Sequence, residues 1–156
     1  TSKQIILFYS NYIFLVIYFL TNFKSKCSKN MLINIYFTPF LKLVPEKNKI
    51  LSKNEINTGF SNIGCNDTSE ITIYRSEEWF KVLIHELFHN LNLDFAEVDT
   101  NSSNYKLNEL LNLNIEYNIN ETYAEIWGRI ILIVFASYLN SSDYKTFKTK
   151  FIRRFA

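Results

Sequence analysis

Both histidines of this 156-residue chain fall in one run, His85-Glu86-Leu87-Phe88-His89. Residues four apart lie on one face of an α-helix, so the two imidazoles can reach one metal ion. Glu86, beside the first of them, can touch a water held by that ion. The pattern H-E-x-x-H on a helix suits zinc-assisted hydrolysis, most often of a peptide bond, with the Glu as general base. The preceding residues allow the helix. Ser76 to Ile84 contain no Gly or Pro, Ser76 reads as an N-cap, and Glu77 and Glu78 suit the positive end of the helix dipole. Trp79, Val82, Leu83, Leu87 and Leu91 recur at helical spacing and predict a helix over about 77–92 that packs into a core.

Catalytic zinc takes three protein ligands and leaves one position for water. A histidine six residues after His89 would complete one known pattern, but that position is Phe95, and the chain has no other His. Cys27 and Cys65 precede the helix and lack paired ligand spacing. The downstream carboxylates are Asp94, Glu97, Asp99, Glu109, Glu116, Glu121, Glu125 and Asp143. The three at 94–99 follow the helix too closely to fold back onto its face. Glu109 and Glu116 lie in Asn-rich, solvated stretches. Glu121 and Glu125 open a long apolar run that ends near Leu139. Four apart, they share a helix face, and carboxylates on so apolar a helix are costly unless paired or metal-bound. The plainer alternative pairs Glu125 with Arg129 and leaves Glu121 to favour the helix N-terminus.

His85-Glu86-x-x-His89, followed by Ile119-Asn120-Glu121 and an acid four residues on, resembles the thermolysin-type gluzincins. The resemblance implies that Glu121 is the third Zn2+ ligand and that Glu125 hydrogen-bonds His85, as a carboxylate that orients a ligating imidazole does. Glu stands at 125 where the family has Asp, and the linker from His89 to Glu121 is longer. Upstream, Ile56-Asn57-Thr58-Gly59-Phe60, a turn at Gly64-Cys65-Asn66-Asp67 and the β-branched run Ile71–Arg75 resemble the family's strand hairpin. In that likeness Asn57, Thr58 and Gly59 form an edge strand that binds substrate backbone, with Gly59 permitting close approach. An ordinary turn-rich hairpin is the alternative. The family also implies a donor to the oxyanion; with no His left, a Tyr or Arg must serve, and Tyr117, Tyr123 and Tyr105 are the candidates. The likeness covers about residues 56–130. Glu77-Glu78-Trp79 and Leu93-Asp94-Phe95 further resemble short zinc peptidases of large DNA viruses.

The elements that must position these residues follow from pattern and composition. A length of 156 residues predicts one domain with a real core. The opening on Thr1 rather than Met reads as a fragment or a processed chain. Net charge is +2, and no basic patch with interleaved aromatics occurs, so nucleic acid is not expected as a partner. Abundant Lys, Asn, Ile, Tyr and Phe match an AT-rich coding sequence. Two cysteines make no disulfide framework, which favours a reducing intracellular compartment. N-x-S/T sequons begin at Asn66, Asn101, Asn120 and Asn140, a number expected by chance in so Asn-rich a chain. Residues 5–20 are almost wholly apolar and read as a buried helix or strand, with a membrane anchor as the alternative. Were they to span, Lys24, Lys26 and Lys29 would favour a cytoplasmic catalytic part.

Strands are expected at 31–38, 56–62 and 70–75, and Pro39 and Pro45 bracket an extended piece. The motif helix, a loop at 96–104, a helix at 105–116, the Glu121 helix to 139 and a last helix after Ser142-Asp143 follow. Strands first and helices second predict an α+β fold. By resemblance it is zincin-like, with a small mixed or antiparallel sheet, an active-site helix and a helical C-terminal half. An apolar segment at 1–30 then precedes a metallopeptidase domain at 31–156. The functional expectation is a zinc metallopeptidase acting on peptide or protein. Another zinc-dependent amide hydrolase, or a non-catalytic zinc-containing structural or interaction module, are the alternatives.

Overall fold

The structure, a computed structural model, describes residues 2–23, 26–43, 56–62, 65–95 and 98–156. Pro45, the turn at Gly64 and Glu97, all singled out above, lie outside them. The chain falls into two compact units, Thr1–Leu93 and Asp94–Ala156. Among the described residues it is an α+β protein with five helices and one three-stranded mixed sheet.

The first unit contains α1 (Ser2–Thr21), β1 (Asn30–Thr38), β2 (Gly59–Ser61), β3 (Thr68–Arg75) and α2 (Trp79–Asn90). The sheet order is β1-β3-β2, with β1 parallel and β2 antiparallel to the central strand. β3 alternates as a half-buried strand should: Ser69, Ile71, Ile73 and Arg75 point inward. Ile71 and Ile73 are fully buried, as are Leu83, Ile84 and Leu87 of α2, and these five make the centre of the core.

β1 and β3 pair with Asn30 opposite Thr68 and Ile35 opposite Ile73. The same register continued upstream sets Cys27 beside Cys65, and the two form a disulfide across a separation of 38 residues. The backbone N–H of Ser28 donates to Asn66 O at 2.6 Å, and that of Asn30 to Asp67 O at 3.0 Å, so hydrogen bonds reach back from the ladder to the bridge. The pairing corrects the expectation that the two cysteines form no disulfide. Cysteine count cannot reveal a pairing that parallel strand register imposes.

α2 also starts later than expected. Its N-cap is Glu78, in the left-handed conformation at φ 56° and without a side-chain cap. Ser76 is instead used by the sheet, its hydroxyl donating to Thr38 O at 3.1 Å. Glu77 accepts from the Lys42 backbone N–H at 2.8 Å, and Glu78 pairs with the Lys42 ammonium. α2 ends in a Schellman motif. Asn92 takes φ 53°, its N–H donating to His89 O, while the N–H of Leu93 donates to Phe88 O.

α1 is long and apolar enough to cross a membrane by length and composition alone. Val16 and Leu20 are buried, and Tyr9 and Tyr12 meet Trp79 and Phe80 of α2 edge-on at 5.1 and 5.4 Å. Ile5, Ile6, Phe8, Phe14 and Tyr18 are exposed.

The second unit is helical among its described residues: α3 (Asn101–Leu111), α4 (Ile119–Tyr138) and α5 (Tyr144–Phe155). α3 covers part of the stretch expected as a loop. α4 buries Ala124, Gly128 and Ile131, spaced four and three apart along one stripe, and packs against α5. The stacked rings of Phe147, Phe151 and Phe155 share one side of α5, as its spacing predicts.

Candidate metal centre

α2 is buried along most of its circumference, so side chains near its C-terminal end have few rotamers open to them. His89 is 7 % exposed and His85 half-buried. Their Nε2 atoms face each other at 3.0 Å, with ring centroids 4.7 Å apart. Two nitrogens bound to tetrahedral zinc at about 2.0–2.1 Å stand about 3.3 Å apart. The pair therefore has the separation and the donor type that zinc requires, with no change in helix conformation. The same contact would serve as a hydrogen bond between neutral rings of opposite roles.

Glu86 is 8 % exposed, unusually buried for a carboxylate. Its Oε2 accepts a hydrogen bond from Ser61 Oγ at 2.7 Å. Ser61 is not legible in the sequence as a site residue. The only local signal is that Gly59 and Ser61 alternate to one side of their strand.

Of the proposed edge strand, Gly59 belongs to β2 while Asn57 and Thr58 precede it. Thr58 continues the pairing, its carbonyl accepting from the Tyr74 backbone N–H at 3.0 Å, and Asn57 O accepts from the Tyr74 hydroxyl at 2.7 Å. β2 lies at one edge of the sheet. Gly59 has a nearer purpose than peptide approach. A Cβ there would stand 2.8 Å from Thr72 O and 3.0 Å from Val82 Cγ1, so glycine lets β2 close onto both β3 and α2.

In the second unit, Glu121 is exposed in the first turn of α4, its N–H donating to the N-cap Asn118 Oδ1 at 3.2 Å. Glu125 accepts from Arg129 Nε at 2.8 Å, the intrahelical pair named as the alternative to its metal-site role. Tyr117 lies just before α4, its hydroxyl buried and without a hydrogen-bond partner among the described residues. Tyr123 is half-buried, its ring 4.4 Å from Phe95 and 6.2 Å from Trp127. Asp94 is buried.

Comparison with protein-family models, curated proteins and solved structures finds no match to this chain.

Proposed function

We propose that this chain is a zinc-dependent peptidase of zincin-like build, with His85, His89 and Glu121 holding Zn2+ and Glu86 acting as general base. The observation that carries this reading is the His85–His89 Nε2 pair at 3.0 Å, on the helix that also bears the buried Glu86. Zinc, when bound, supplies Lewis-acid activation of a water and of the scissile carbonyl. Glu86 accepts the proton of the attacking water and returns it to the leaving amine. Glu121 as third ligand rests on its Asn-Glu pattern at the head of α4, and Glu125 in its orienting role on the acid four residues later. The edge at Asn57, Thr58 and Gly59 takes an extended peptide. Tyr117 or Tyr123 donates to the oxyanion. The exposed apolar residues of α1 support a membrane association of the same chain.

The competing reading is a zinc-stapled module without turnover, favoured by the engagement of Glu125 with Arg129. Zinc analysis of the purified chain, with a peptide-library digest, separates the two. We expect about one zinc per wild-type chain, lost in Glu121→Ala and kept in Glu86→Gln, with cleavage only by wild type. Unchanged zinc in Glu121→Ala would move the third ligand elsewhere. Turnover surviving in Glu86→Gln would remove the general base, and a zinc-loaded wild type that cleaves nothing would leave the stapled module.

A further inference from the structure

We propose that Ser61 is a positioning residue that fixes the carboxylate of Glu86, a role that rests on the peptidase reading above. A glutamate side chain has three rotatable bonds, and a general base must be held to within a fraction of an ångström to be useful. Ser61 Oγ donates to Glu86 Oε2 at 2.7 Å. One oxygen is thereby occupied, and the other keeps its lone pairs for the water it must deprotonate. Ser61 retains its own proton throughout; the proton that moves passes from water to Glu86 and on to the amine.

The hydroxyl is held in place by a short ladder between strand and helix. Gly59 and Ser61, two apart on β2, point the same way. Val82 and Glu86, four apart on α2, share one helix face. Two residues of strand advance about 6.6 Å and four residues of helix about 6.0 Å, so the two pairs match in pitch. Gly59 lies against Val82 and Ser61 against Glu86. The near-contact at Gly59 sets how closely β2 approaches α2, and that closeness brings the Ser61 hydroxyl within hydrogen-bond reach. β2 is only three residues long and antiparallel to β3, with Ser61 paired to the fully buried Ile71, which anchors it from the other side.

The test uses Ser61→Ala and Ser61→Thr in the full chain. Threonine keeps a hydroxyl on the same carbon and suits a strand. Crystal structures of the metal-free variants come first. Glu86 is expected in several rotamers in Ser61→Ala and in one in wild type and Ser61→Thr. A single unchanged rotamer in Ser61→Ala overturns the proposal whatever the activity of the protein. Kinetics of the zinc-loaded chains on a cleaved peptide come second. Ser61→Ala should lower kcat about 10- to 100-fold with KM within about twofold and zinc content intact, and Ser61→Thr should restore most of it. Equal kcat in Ser61→Ala and wild type, or a loss shared by the threonine variant, also overturns it. A wild type that cleaves no peptide removes the peptidase reading itself, and the rotamer result still decides whether Ser61 holds Glu86.

Discussion

Glu125 is the residue on which two local explanations diverge most sharply in size. As the partner of Arg129 it forms an exposed i,i+4 pair, with Arg129 65 % and Glu125 35 % exposed, and such pairs contribute about 0.3–0.5 kcal/mol. As the carboxylate that orients a zinc-bound imidazole it would change metal affinity about 10- to 100-fold. The peptidase reading therefore expects Glu125→Ala to weaken zinc binding by that factor while Arg129→Ala leaves it nearly unchanged. Competition with a chromophoric chelator measures both; two equally small effects would reduce Glu125 to its helix pair. The difference in legibility among site residues has a physical cause. His85, Glu86 and His89 are placed by one helix, so sequence spacing alone brings the imidazoles together. Ser61 reaches Glu86 across 25 residues of chain, through a strand–helix register that depends on Gly59 lying against Val82. No spacing rule contains that register.

At the scale of elements, α5 offers a test by pH. Asp143 accepts from the Thr146 backbone N–H at 2.9 Å, and its other oxygen accepts from the Thr146 and Ser142 hydroxyls, each at 2.9 Å. These bonds, the backbone one first, hold its carboxyl below the ordinary value of 3.8. A folded pKa below the unfolded one means that the stabilisation is complete above about pH 4 and is lost as pH falls through the folded value. The Thr146 amide resonance should report this loss as fraying of the first turn. Asp143→Asn keeps a capping oxygen and should remove the pH dependence, whereas Asp143→Ala should fray α5 at every pH. A titration that persists unchanged in Asp143→Asn would assign it to another group. This cap is readable in the sequence because its partners lie within three residues. The start of α2 is not, because Glu77 and Glu78 are claimed by Lys42, far along the chain. β3 is readable from its β-branched and aromatic run, but its parallel pairing with β1 is not, since such a run marks a strand and not which strand lies alongside.

At the scale of the whole molecule, two features bear on where the chain resides, and they point in opposite directions. Lys24, Lys26 and Lys29 follow α1, and a positive flank favours the cytoplasmic side of a membrane. The Cys27–Cys65 bond is of a kind that forms and persists in oxidising compartments. The orientation signal of a few lysines can be overridden by what precedes a span and by the domain that follows it. The disulfide is tied to the fold itself: it continues the β1–β3 register and closes a loop of 38 residues, for which chain entropy gives about 4 kcal/mol of stabilisation. A contribution of that size is a large share of the net stability of a small domain, so the first unit should be markedly more stable oxidised than reduced. Alkylation of thiols in intact cells, followed by fractionation with an alkaline wash, reads both features at once. We expect the chain in the washed membrane pellet with neither cysteine alkylated before reduction and both afterwards, and a lower urea midpoint for Cys27→Ser together with Cys65→Ser. Free thiols in a folded, membrane-bound chain would reverse the assignment of sides and place the residues that follow α1 in the cytoplasm. A chain that washes off the membrane would instead leave the exposed apolar residues of α1 without a lipid partner, whatever the state of its cysteines.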